Sequence, residues 1–221
     1  MTKGKFNNPV IHLYSRVGTP QFVFFIAVFS LLVLPILTIE KYSLIDSLFQ
    51  TFYLGSLYYL VKSQGTGFFR ITTIILLIAI IDVWTSFFGI KFNSYGDYLL
   101  PVLLMILSFV FVIRSVVHSK GVDLNVVLSA ITGYILIGFL FGILIYIMEL
   151  LQPGNFSVEK ISYYNAEYFS FVTMSTLGYG DIVPITEAGR AITIITTLAG
   201  QFYMVIVMGI IVGKFISDRN K

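Results

Sequence analysis

The sequence predicts an all-α membrane protein with six transmembrane helices, and composition and spacing predict it together. Of 221 residues, 57% are apolar and only 11% charged, with a mean hydropathy of +0.91, whereas a soluble domain has about a quarter of its residues charged. Apolar stretches of the length that crosses a bilayer, about 20 residues, lie at 22–39, 44–61, 71–88, 98–117, 126–150 and 191–216.

Each stretch has its own marks. Lys3, Lys5 and Arg16 precede the first in the manner of a signal peptide. That stretch is long for a signal's apolar region, however, and Glu40-Lys41 follow without a small-residue cleavage site, so it reads as an uncleaved span. Pro35 predicts a bend in it, which neighbouring helices satisfy in a membrane. Asp46, Gln50 and Thr51 make one end of the second stretch polar, so it enters the bilayer obliquely or lines a protein interface. The third holds Asp82, an acid deep in a span, which marks a functional candidate by its cost alone. The fourth has one cation, Arg114, near its end, with His118 one turn later.

Charge orients the chain. Lys3, Lys5, Arg16, Lys62, Arg70, Arg114, Lys120, Lys214, Arg219 and Lys221 fall on one side, and only Lys41, Lys91, Lys160 and Arg190 on the other. The positive-inside rule places both termini in the cytoplasm of a multi-pass cell-membrane protein. The outer side collects Glu40, Asp46, Asp97, Glu149, Glu159, Glu167, Asp181 and Glu187, for most of which ordinary solvation in loops is expected. With no cysteine there is no disulfide. No metal-ligand cluster, nucleophile triad or phosphate loop is present, so no enzyme, cofactor or nucleic-acid function is expected.

Between the last two spans lies Thr176-Leu177-Gly178-Tyr179-Gly180-Asp181. Alternate glycines accept left-handed dihedrals that other residues avoid, which lets successive carbonyls face one way. The segment 165–181, NAEYFSFVTMSTLGYGD, resembles the pore helix and selectivity filter of tetrameric potassium channels, with leucine for the commoner valine. The resemblance implies a re-entrant pore helix near 166–175 and a filter between the fifth and sixth helices. K+ would bind at Thr176, Leu177, Gly178 and Tyr179, and Gly180 would complete the strand. The side chains of Leu177 and Tyr179 would pack behind it. Tyr168 and Phe169 fall where the family often carries two tryptophans, and Tyr168 would support the filter by bonding to Asp181.

The same resemblance divides the chain into a cytoplasmic segment 1–21, a four-helix module 22–120, a pore domain 121–217 and a short tail 218–221. One filter motif per chain implies a homotetramer in lipid, with K+ as permeant ion. On the last span Thr193, Thr197, Gln201, Met204, Met208 and Val212 share a helical sector. Polar residues within a span usually face a cavity or bundle interior, so Thr197, Gln201, Met204 and Met208 are assigned to the pore wall. Gly200 lies where the family often has a hinge, and together with Gly209 and Gly213 it equally suits close helix packing.

The first four helices resemble a voltage sensor lacking its arginines, in which Asp82 is a sensor relic, a protonated buried acid or part of a polar cavity, and Arg114 a relic or, by preference, an interfacial anchor that snorkels to the headgroups. At 1.5 Å per residue Asp82 lies about 10 Å from the outer end of its helix and Arg114 about 5 Å from the inner end of its own. One charge in each of four subunits yields at most roughly 9 kcal/mol per 100 mV, where steep gating takes tens. Weak or absent voltage dependence follows. The expected function is a potassium-selective channel, and the alternatives are a weakly selective cation channel and a non-conducting assembly or sensor module on a pore scaffold.

Overall fold

The computed structural model describes residues 19–37, 44–65, 69–89, 96–119, 121–158 and 161–219. Most of segment 1–21, the loop cations Lys41, Lys91, Lys120 and Lys160, the acids Glu40 and Glu159, His12 and the tail beyond Arg219 lie outside the described residues. Seven helices follow in order: α1 Pro20–Leu37, α2 Leu44–Ser63, α3 Phe69–Phe87, α4 Gly96–His118, α5 Leu124–Leu151, the short α6 Tyr163–Met174, and α7 Glu187–Arg219.

Local chemistry sets the starts. Pro20 opens α1, where a missing N–H costs nothing, and the Thr19 hydroxyl accepts from Phe22 N at 3.4 Å. Asp123 caps α5 by accepting from Val126 N at 3.0 Å. Ser162 caps α6 by accepting from Asn165 N at 3.1 Å, so this helix begins three residues before the expected 166.

Five helices, α1, α3, α4, α5 and α7, are long and apolar enough to cross a membrane. The second expected span is a helix of the right length, 20 residues, but it is not apolar enough to count among them. The reason is visible in its packing: Asp46, Ser47 and Ser56 are buried inside the protein rather than turned to lipid. That burial fits the protein-interface alternative for this stretch and replaces the loop solvation expected of Asp46.

Lipid tails are as apolar as leucine, so these helices associate through packing and hydrogen bonds rather than through escape from water. One cluster joins Phe24 and Val28 of α1, Tyr53 and Leu57 of α2, Leu76 of α3, Val112 of α4, and Leu136 and Phe139 of α5. The four-helix module therefore rests on the α5 of its own chain, chiefly through α1 and α4. A second cluster, including Val116, Ala130, Met174 and Tyr203, joins the ends of α4, α5 and α6 to α7.

Three glycines bring neighbours onto α5. A Cβ on Gly133 would strike the Tyr203 hydroxyl, one on Gly138 the ring of Phe171, and one on Gly142 would lie 2.8 Å from Glu167 Cα. Polar bonds reinforce the approach. The Tyr203 hydroxyl donates to Ala130 O at 2.5 Å, and Ser170 Oγ donates to Gly138 O at 2.8 Å. At the far end of α7, Lys214 Nζ donates to Val116 O, Val117 O and Ser119 O at 2.7, 2.8 and 2.8 Å, and lies 2.9 Å from Ser119 Oγ. A cation there meets the negative end of the α4 dipole.

Candidate functional site

The segment 176–181 leaves the C-terminal end of α6 and turns back toward α7. Its start is pinned to the last turn of that helix. Leu177 N and Gly178 N both donate to Val172 O, at 3.0 and 3.2 Å, while Thr176 N donates to Thr173 O at 3.0 Å. A carbonyl with two lone pairs can accept both donors.

Thr176, Gly178 and Gly180 have φ of 61°, 55° and 78°, whereas Leu177 and Tyr179 stay at negative φ. Left-handed and ordinary residues therefore alternate over five positions. Such alternation directs successive carbonyls to one side, and threonine at positive φ is uncommon enough to be informative. Among the described residues no hydrogen bond ends on a carbonyl from Thr176 to Gly180. What the segment presents is a row of unused backbone acceptors.

Leu177 and Tyr179 are 56% and 66% exposed. The expectation that they pack behind the filter is not met within a single chain, where both side chains stay mostly exposed among the described residues. The two aromatics of α6 diverge in the same way. Phe169 is buried against Phe156, ring centroids 5.0 Å apart, whereas Tyr168 turns outward and its hydroxyl donates to Asp181 Oδ2 at 2.7 Å. This bond pushes the Tyr168 phenol up to about 12 and holds the Asp181 carboxyl below its ordinary range. Both shifts keep the donor protonated and the acceptor charged.

Beyond the segment, the chain is braced by groups that sequence reasoning passed over. Glu149, expected to be a solvated loop acid, is buried at the end of α5 and accepts from Gly154 N at 2.6 Å and Asn155 N at 3.1 Å. Asn155 Nδ2 bonds to Gln152 O, and Asn155 Oδ1 accepts from Thr186 Oγ1 at 2.5 Å. Thr186 Oγ1 in turn accepts from Gly189 N at 3.1 Å, in the first turn of α7. An isolated bridge between Phe156 and Pro184 closes the loop. The available signal was the Pro153-Gly154 turn directly after a helix-terminal acid.

On α7, Gln201, Met204, Met208 and Val212 are exposed and Thr193 and Thr197 half-buried. The two threonine hydroxyls bond back to Gly189 O and Thr193 O, at 2.7 and 2.9 Å. Gly200 is pressed on Met174, whose carbonyl oxygen would lie 2.7 Å from a Cβ, within an unbroken helix. Close packing thus has a physical cause at Gly200. Gly209 and Gly213 meet nothing within 4 Å in this chain.

The two sensor-like residues are not brought together. Asp82 borders a cavity between the four-helix module and α6, on the side of the bundle that carries the 176–181 segment. Arg114 borders a separate recess at the other end, with Gln64, His118 and Asp123. Among the described residues no group of three His, Asp or Glu side chains is placed to hold a metal ion.

Residues 129–217 match a family described as "Ion channel". The chain is 36% identical over 63 residues to the "Probable potassium channel protein 2" of Methanocaldococcus jannaschii, covering 26% of this chain and 18% of that protein. It is 29% identical over 130 residues to the "Voltage-gated potassium channel Kch" of Escherichia coli, 59% of this chain and 28% of that one. With a "Voltage-gated potassium channel" of Aeropyrum pernix it shares 33% identity over 84 residues, 38% and 28%. The chain thus spans little more than a quarter of these relatives at most. No solved structure matches it. It is a helical membrane protein that is ion-channel-like over residues 129–217 and distantly related to potassium channels.

Proposed function

We propose that this chain is one subunit of a fourfold, potassium-selective channel. The observation that carries the reading is the alternation of positive φ at Thr176, Gly178 and Gly180. It supports a strand whose carbonyls replace the hydration shell of K+ at Thr176, Leu177, Gly178 and Tyr179. The exposure of Leu177 and Tyr179 among the described residues supports the fourfold assembly, since neighbouring copies would cover large side chains beside a pore. The Tyr168–Asp181 bond is the lateral support of the strand at its outer end. Gln201, Met204 and Met208, exposed on α7, line the passage, with Thr197 beside them, and both termini lie in the cytoplasm. Arg114 alone in α4 leaves conduction weakly voltage-dependent or independent of voltage.

The test is reconstitution in planar bilayers with potassium on one side and sodium on the other. Reversal near the potassium equilibrium value is expected, with a conductance that changes little with voltage. Reversal near zero would replace the reading with a weakly selective cation channel whose leucine has loosened the strand. Complete absence of flux under all stimuli would favour a non-conducting assembly.

A further inference from the structure

A cavity of about 300 Å³ lies where α1 to α5 meet α6, bounded by Leu31, Asp46, Asp82, Leu104, Phe139 and Glu167. It is large enough for a small organic molecule. Three carboxylates line it, from three different helices, and no lysine, arginine or histidine is among the described lining residues. The acids do not converge on a point, because no three of them are placed to chelate a metal ion. They surround a space.

Five aromatic side chains, Tyr53, Phe139, Tyr146, Tyr163 and Tyr164, share the walls with aliphatic ones. Glu167 is the sharpest observation. It is only 7% exposed, its backbone is pressed onto Gly142, and among the described residues no hydrogen bond reaches its carboxylate. A buried carboxylate without a donor is costly unless a cation or a proton accompanies it. Aromatic faces together with carboxylates are the chemistry that recognises organic ammonium ions.

We propose that this cavity is a binding site for a small organic ammonium ion, with Glu167 as its principal counter-charge. The site is distinct from the ion path: it sits between the four-helix module and the back of α6. Glu167 is adjacent in sequence to Tyr168, so an occupant is placed to act on the Tyr168–Asp181 bond. Binding itself does not depend on whether the protein conducts.

The experiment titrates benzyltrimethylammonium, which combines a permanent charge with an aromatic ring, into the purified full chain and reads the heat of binding. Saturable binding is expected, weakened roughly tenfold by Glu167→Gln, a loss of about 1.4 kcal/mol, and unchanged by Tyr179→Val at the pore mouth. If Glu167→Gln does not fold by circular dichroism, Asp82→Asn on another helix serves, with a weakening of a fewfold expected. Absence of saturable heat, indifference to the acid substitution, or loss of binding in Tyr179→Val alone would each overturn the proposal.

Discussion

The two halves of this bundle are held together differently. The four-helix half, α1 to α4, rests on one apolar cluster crossed by a buried hydrogen bond between the Tyr53 hydroxyl and Ser108 Oγ at 2.6 Å. The half from α5 to α7 brings its helices close at Gly133, Gly138, Gly142 and Gly200, and adds a chain of hydrogen bonds from Glu149 to Gly189. Apolar contacts tolerate substitution of similar volume, whereas a glycine approach or a buried acceptor has no substitute. The comparison teaches where precision is needed: around the 176–181 segment.

The largest test substitutes glycines on both sides. Gly142→Val forces a branched side chain into the Glu167 backbone and is expected to cost about 3 kcal/mol, whereas Gly55→Ala on α2, which meets nothing within 4 Å, gains a few tenths from helix propensity. Thermal unfolding of the purified variants measures both. Equal effects would break the comparison. Next is Glu149→Ala, which strands the Gly154 and Asn155 N–H groups and is expected to cost about 2 kcal/mol. Faster hydrogen exchange at residues 152–157, with α1 to α3 unchanged, is the expected signature.

Lys214→Met removes the tie between α7 and the end of α4. At a half-exposed position the loss is about 1 kcal/mol, seen as raised exchange at residues 115–119, and Lys214→Arg restores part of it. A smaller effect is expected for Tyr168→Phe, on kinetics rather than stability: the 176–181 segment loses a lateral bond and, in a conducting protein, the open state shortens. The pH dependence follows from the same bond. Asp181 is depressed, so its contribution is present above the ordinary carboxylate range and is lost as pH falls through the lowered value. The Tyr168 phenol is raised to about 12, so the bond persists through the ordinary phenol range and is lost as pH rises through that value. Wild type and Tyr168→Phe should therefore differ across neutral pH and converge at both extremes. The smallest effect is expected for Arg114→Gln, with little change in any voltage dependence of current.

Much of this was legible residue by residue. The spans appear within a few residues of the helices because twenty apolar residues have few other fates. The motif at 176–181 announced its backbone through Gly178 and Gly180, although not the positive φ of Thr176, which no propensity favours. Tyr168 and Asp181 were readable as a pair through the resemblance, which places a donor at Tyr168 for the acid that follows the 176–180 strand. Glu149, Asp46 and Glu167 were not: a sequence shows an acid near the end of a span but not whether the chain folds over it.

The sequence by itself determined the helical class, the approximate spans and the position of the 176–181 segment, since these depend on local composition and on backbone freedom at particular residues. Only the tertiary structure decided which polar groups of α2 are buried, that Gly200 serves close packing on Met174, that Lys214 ties α7 to α4, and that Glu167 faces a cavity. Those outcomes depend on which helices become neighbours, and one-dimensional periodicity records a face without recording what will lie against it.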